Sequence, residues 1–123
     1  MISGSTVLMN GTTINPGGSR LTEIPYSLED FIKLSLTIEG YYNMSKTWES
    51  CGLRVRVFTS YDGSNWDDTP YAEFDSPSNL SKHVRATVSI IPDPAYIRCQ
   101  VINQNTNETA YDCRVIATYS KSG

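Results

Sequence analysis

Strict alternation of apolar and polar residues is the feature that most constrains what this chain can fold into. It is clearest at 33–39, where Leu34, Leu36 and Ile38 alternate with polar residues. The same pattern recurs at 53–57, 84–90, 97–101 and 113–117. Successive side chains of a strand point to opposite faces, so each segment has one apolar and one polar face. The pattern predicts antiparallel strands that bury one face and expose the other.

Residues typical of turns separate these segments. Asn10-Gly11 predicts a tight hairpin within residues 7–14. Asp62-Gly63 predicts a turn in which the Asp62 carboxylate accepts backbone N–H groups and Gly63 has a positive φ. Pro92-Asp93-Pro94 predicts a break between two strands, because proline lacks the N–H that a strand ladder needs. The polar segment 103–108 predicts the tip of another hairpin.

The predicted fold is all-β. Residues 27–32 favour at most one helical turn before strand alternation begins, and eight or nine short strands can be counted. A chain of 123 residues is long enough for one core. We therefore expect a single two-sheet antiparallel β-sandwich or jelly roll over residues 1–123. Residues 1–20 are predicted to form either an N-terminal hairpin on that sandwich or a docking arm.

Charge and hydropathy argue against two classes of partner. The chain has 10 Lys and Arg against 13 Asp and Glu, a net charge of -3, whereas nucleic-acid-binding proteins usually have a basic excess. No segment approaches the ~20 apolar residues that span a bilayer. The first residues have neither the basic region nor the apolar run of a signal peptide. We expect a chain made in a cytoplasm, or a mature fragment, with neither nucleic acid nor a membrane as partner.

Cysteine usage is a weak basis for a disulfide or metal site. Cys51, Cys99 and Cys113 are an odd number and contain no C-x-x-C spacing. They are predicted to be buried thiols that pack as small apolar side chains. A Cys99–Cys113 bridge remains open, because a hairpin about 103–108 would place the two cysteines roughly opposite each other.

The sequence contains no recognisable catalytic set. His83 is the only histidine, and its parity in the strand is opposite to that of Val84, so it is predicted to face solvent. No nucleophile elbow, phosphate loop or H-E-x-x-H is present. Asp62, Asp67 and Asp68 do not have the spacing of a calcium loop and are interpreted as solvated loop acids. We expect no enzyme activity, no catalytic residue, no metal and no cofactor.

Outward-facing arginines are the first candidate interaction surface. Five of the six arginines lie on the polar parity of their strands, namely Arg54, Arg56, Arg85, Arg98 and Arg114. They share one sheet face if those strands are neighbours, and Phe58 has the same parity as Arg54 and Arg56. Arginine is common at interfaces and pairs with carboxylates through two hydrogen bonds. The alternative is a solvated face on which the arginines pair with acids of adjacent strands.

The second candidate is an aromatic platform beside the Asp62-Gly63 turn. Tyr61 precedes the turn and Trp66 follows it. Either Trp66 folds back over the sheet edge and stabilises its own turn, or Tyr61 and Trp66 together stack on a sugar ring or a protein partner.

Several segments together resemble a known group. They are Val7-Leu8-Met9-Asn10-Gly11-Thr12, Pro16-Gly17-Gly18-Ser19, Leu34-Ser35-Leu36-Thr37-Ile38-Glu39-Gly40, Val57 to Asp67 and the strand from Tyr96 to Asn103. In this order they resemble small β-sandwich proteins from the structural gene modules of tailed phages and prophages. The resemblance implies a capsid decoration protein or a tail or neck accessory, with no catalytic residues. A similar motif to Ser60-x-Asp62-Gly63-x-x-Trp66 also occurs in discoidin-like carbohydrate- or lipid-binding sandwiches. The motif is similar to the sialidase Asp box too, but it has one residue fewer between Ser60 and Trp66.

These observations lead to two functional hypotheses. The first is a non-enzymatic virion structural protein, above all a capsid decoration protein, that forms a homo-oligomer and docks on capsid or tail subunits. Such a protein would be made in the host cytoplasm and located in the virion. The alternative is a carbohydrate-binding β-sandwich module that uses Tyr61 and Trp66, with a glycan as its partner.

Overall fold

The computed structural model describes residues 1–22, 24–42, 52–76 and 83–122, which form nine strands and no helix. The strands are β1 (Ile2–Ile14), β2 (Ser19–Leu21), β3 (Tyr26–Ser27), β4 (Phe31–Tyr42), β5 (Leu53–Ser60), β6 (Ala72–Ser76), β7 (His83–Ile90), β8 (Tyr96–Asn103) and β9 (Ala110–Lys121). The all-β prediction is confirmed. Within these residues, no helix is long and apolar enough to cross a membrane.

The strands form two antiparallel sheets. One sheet has the order β1-β9-β4-β7, and the other has the order β2-β8-β5-β6, with β3 also paired to β8. Every pairing between named strands is antiparallel. The predicted two-sheet sandwich is therefore confirmed.

The apolar residues of the alternating segments face the core of the structure. Leu34, Leu36 and Ile38 of β4 point into one core cluster, and the apolar residues of β5, β8 and β9 at the predicted parity join it. Burial of each large aliphatic side chain contributes about 1.5–3 kcal/mol. The core is packed so closely at Gly40 that an added Cβ would lie 2.8 Å from Leu53 Cδ1, a side chain of the opposite sheet.

The predicted hairpin at Asn10-Gly11 is wrong. β1 continues through this dipeptide as one strand of 13 residues, paired along its length with β9. The pairing register shifts between Met9 and Thr12, and Gly11 has a φ of 64°. Because β9 is long enough to pair with both halves of β1, the positive φ is used in a β-bulge instead of a chain reversal. Residues 2–14 are therefore neither a hairpin nor a free arm.

The predicted hairpin about residues 103–108 is also wrong. β8 pairs with β5 in one sheet while β9 pairs with β4 in the other, so this segment crosses between sheets. Cys99 and Cys113 consequently lie on opposing sheets, and both are free and buried. Burial raises the pKa of each thiol to about 12, with a smaller contribution at Cys113 from the Asp112 charge. Cys51 lies outside the described residues.

Candidate docking surface

The five candidate arginines do not share one face. Arg54, Arg56 and Arg98 lie on the outer face of the β2-β8-β5-β6 sheet. Arg85 and Arg114 lie on the outer face of the β1-β9-β4-β7 sheet. Their outward parity was predicted correctly, but the single cluster was wrong, because β5 and β8 belong to a different layer from β7 and β9.

Two arginines of β5 form cross-strand ion pairs with β6. The Arg54 guanidinium donates hydrogen bonds of 2.8 and 3.2 Å to the Asp75 carboxylate, and Arg56 Nε donates one of 2.7 Å to Glu73 Oε2. The hydrogen bond from Arg54 lowers the pKa of Asp75. Both pairs are exposed, so solvent screens them and each contributes little to stability. On this part of the face, the arginines pair locally with acids.

The Asp62-Gly63 turn has the predicted chemistry. The Asp62 carboxylate accepts backbone N–H bonds from Ser64 at 2.9 Å and Asn65 at 2.8 Å, and these bonds hold the pKa of Asp62 well below its ordinary value. Gly63 has a φ of 82°. Beyond the turn, Trp66 pairs back with Ser60 in an isolated β-bridge. The local prediction is therefore confirmed for the backbone.

Trp66 is half-buried beneath an arginine. The guanidinium carbon of Arg98 lies 4.5 Å from the centre of the Trp66 ring, a cation–π contact. Arg98 is also the residue opposite Phe58 in the β5–β8 ladder. Tyr61 is 78% exposed and lines a shallow cavity with residues 92–96. In the predicted platform, one face of the Trp66 ring is thus already covered by Arg98.

Glu39 organises the outer face of the other sheet. It lies on the polar parity of β4, yet its exposed fraction is only 7%. Its Oε2 accepts hydrogen bonds from Arg85 Nη2 at 2.7 Å and Arg85 Nε at 3.2 Å, and Arg114 Nη1 lies 4.0 Å from Oε1. The Arg85 hydrogen bond lowers the pKa of Glu39, burial opposes that change, and the His83 hydrogen bond adds to it. A buried carboxylate is tolerated here because cations surround it.

His83 takes part in this cluster instead of simply facing solvent. It has the predicted outward parity, but it is half-buried, with its Nε2 3.1 Å from Glu39 Oε2. Its ring stacks on Tyr41 at a centroid distance of 4.6 Å. The β4–β7 register explains the contact, because Tyr41 is directly opposite His83 and Glu39 is directly opposite Arg85.

Aromatic and cationic side chains are brought together on this face by three adjacent strands. One row across β9, β4 and β7 consists of Tyr111, Tyr41 and His83. The next row consists of Arg114, Glu39 and Arg85. Tyr41 is 43% exposed and Tyr111 is 45% exposed. We call these six residues the Tyr41 patch. Tyrosine and arginine are enriched where proteins bind one another, so the patch is suited to docking.

Neither tyrosine of this patch was assigned to a candidate site from the sequence. Tyr41 has the same parity as Glu39, so alternation in the sequence already placed its side chain on the outer face of the sheet. Tyr111 does not share the parity of Arg114, because the β4–β9 register shifts between Glu39 and Tyr41. Asp112, in this part of β9, has a positive φ of 53°. Aspartate tolerates a positive φ, but the segment contains no glycine, and one aspartate within a strand does not by itself predict the irregularity.

Comparison with known proteins identifies no family. No family model and no curated protein sequence matches the chain. Among solved structures, the chain is similar to the PBSX exported protein XepA, with a TM-score of 0.62 and 10% identity over 98% of this chain and 38% of that protein. It also matches FLHE, with a TM-score of 0.41 and 17% identity over 98% of each chain. The XepA likeness shows a shared fold, and this chain spans well under half of the XepA chain.

Proposed function

We propose that this chain is a non-enzymatic structural protein of a phage-derived particle, and that it acts as a capsid decoration protein. The observation that carries the proposal is the structural likeness to XepA, a phage-derived protein. The match covers 98% of the present chain. The segment-by-segment resemblance to phage structural proteins in the sequence points to the same class of protein. In this role the sandwich is a rigid block that binds neighbouring virion subunits.

Strand order supports this assignment. β2 and β3 both pair with β8 and together occupy one sheet edge. Counted as one strand, they complete four nested pairs, β1 with β9, β2–β3 with β8, β4 with β7, and β5 with β6. A long hairpin rolled into two sheets has this nesting, which is the topology of a jelly roll. Two-sheet jelly rolls are frequent in viral capsid domains.

The Tyr41 patch is the docking surface that we propose. Arg85 is already held by Glu39, and the Tyr41 ring is held against His83, so little side-chain entropy is lost when a partner binds. The arginines of β5 are held in the same way, by Asp75 and Glu73, so the two partly exposed tyrosines are what favour the Tyr41 patch. The partner would be another virion subunit or a second copy of this chain in a closed oligomer.

Protein analysis of purified particles tests the proposed role. Particles induced from the strain that encodes the chain would be separated on a density gradient, and heads and tails would be analysed separately by mass spectrometry. We expect the chain in the head fraction at a fixed ratio to the main capsid protein. Presence only with tails would replace decoration by a tail role, and absence from both fractions would overturn the proposal.

Alanine variants test the docking surface. We expect Tyr111→Ala to reduce incorporation into particles by more than about tenfold, as replacement of an interface hot spot does. The matched control is Tyr61→Ala, which removes a more exposed tyrosine elsewhere on the chain. Circular dichroism would establish that both variants fold. Equal incorporation of Tyr111→Ala and the parent chain would place docking on another surface.

A further inference from the structure

A groove lies between the edge strands of the two sheets. One wall is the bulged part of β1, and the other is formed by residues 20–22 and 24–26. The groove has a volume of about 390 Å³, and its lining includes Leu8, Met9, Leu21 and Ile24. The Tyr26 hydroxyl donates a 3.1 Å hydrogen bond to Thr6 Oγ1, which links the two walls. The volume is within the ~300–1,000 Å³ typical of ligand sites.

One wall of this groove is an open strand edge. β1 pairs with β9 on one side and with no other described strand. Proteins protect such edges with charged residues, proline or β-bulges, and β1 has bulges but neither a charged residue nor a proline over its 13 residues. The three register shifts of the β1–β9 pairing all lie between Val7 and Ile14, the part of β1 that lines the groove. Bulges are frequent beside binding sites.

The groove combines apolar surface with one positive charge. Ile24 is 77% exposed, and Leu21 and Val7 are also exposed. Among the described residues of the lining, Arg20 is the only charged one, and it forms no ion pair with another described residue. An arginine in this setting is matched by a carboxylate, which can accept two of its hydrogen bonds.

We propose that the groove binds an extended peptide segment of a partner protein, which adds to β1 as an extra strand. Backbone hydrogen bonds to the open edge provide affinity, and alternate side chains provide specificity. An apolar side chain of the peptide lies between Leu8 and Leu21, and a carboxylate pairs with Arg20. A second copy's β1 does not fit this description, because β1 contains no Asp or Glu. The proposal is independent of the virion role.

A displayed library of linear peptides tests the proposal. The probe is a yeast-displayed library of peptides of about eight residues, a common strand length, selected against the full chain. We expect enriched peptides to alternate apolar and polar residues and to contain Asp or Glu. A synthetic peptide made from the consensus should slow hydrogen exchange at β1 amides. Arg20→Gln should weaken its binding about tenfold, as loss of a charged hydrogen bond does.

Matched variants separate this site from nonspecific binding. Leu21→Asp, which places a charge on the groove wall, should abolish peptide binding, and Lys33→Gln on the exposed part of β4 should leave it unchanged. Circular dichroism would establish that all three variants fold. Failure to enrich any peptide, protection outside β1, or equal affinity for Arg20→Gln would overturn the proposal. So would self-association that Leu21→Asp removes. These outcomes do not test the virion role, which is judged separately by whether the chain is found in purified particles.

Discussion

The hydroxyl of Tyr42 donates a 2.7 Å hydrogen bond to Oδ1 of Asn103, which joins the end of β4 in one sheet to the end of β8 in the other. Both side chains are fully buried. Asn103 Nδ2 in turn donates to the carbonyl oxygens of Ile14 at 3.2 Å and Glu108 at 2.9 Å. One asparagine therefore holds β1, β4 and the connection to β9 together at this end of the sandwich.

Asn103→Ala should lower the free energy of unfolding by about 2–4 kcal/mol, because it leaves several buried polar groups without their partner. Tyr42→Phe removes the hydrogen bond to Asn103 and should cost about 1–2 kcal/mol. Urea denaturation followed by circular dichroism measures both. The control is Asn10→Ala at an exposed position, which should change stability by less than about 0.5 kcal/mol. A similar small effect at Asn103 would contradict the proposed structural role of this residue.

Glu39 should make the protein sensitive to acid. Its pKa is lowered in the folded chain, mainly by the Arg85 hydrogen bond, from an ordinary value of 4.5. The stabilisation is therefore present above pH 4.5 and is lost as the pH falls through the lower folded-state pKa. We expect the urea midpoint to fall as the pH is lowered from 7 to 3.

Glu39→Gln isolates this contribution. The variant should be less stable than the parent at pH 7, and its stability should depend less on pH in the acid range. Some dependence should remain, because the pKa values of Asp62 and Asp75 are also lowered. Glu29→Gln, at an exposed turn, is the control. Parallel stability curves for the parent and Glu39→Gln would show that Glu39 is not the acid-sensitive group.

Variants of Trp66 test whether this residue stabilises its own turn or binds a glycan. The Arg98–Trp66 contact should give a coupling free energy of about 0.5–1 kcal/mol in a double-mutant cycle with Arg98→Met and Trp66→Leu. Chemical denaturation of the four proteins measures it. On a glycan array we expect no binding that depends on Trp66. Binding by the parent that disappears in a folded Trp66→Ala variant would instead support the carbohydrate-binding alternative.

The two buried thiols should be unreactive in the native protein. With pKa values of about 12, Cys99 and Cys113 have very little thiolate at pH 8. In a Cys51→Ser background, a chromogenic thiol reagent should label both residues in urea but neither in native buffer. Thr118→Cys, at an exposed position, supplies a reactive control. Two thiols that stay unlabelled in urea would indicate a disulfide and contradict the structure.

The sequence alone determined which side of the alternating segments of β4, β5, β7, β8 and β9 faces the core. Leu34, Val55 and Val101 were assigned to the core by alternation, and all three are buried. This works because the two-residue period is a property of a single strand and needs no knowledge of its neighbours. The Asp62-Gly63 turn was predictable for the same reason, since its hydrogen bonds join residues two or three positions apart.

Only the tertiary structure decided which strands are neighbours. Pairing β1 with β9 turned Asn10-Gly11 into a bulge, and the division into two sheets separated Arg54 from Arg85. Glu39 and Asn103 are buried polar residues with partners far along the chain, Arg85 at 46 positions and Tyr42 at 61 positions respectively. Such contacts form between whole strands across the chain, so no local pattern of residues encodes them. The Tyr41 patch exists for that reason, because β9, β4 and β7 are adjacent only in the folded sheet.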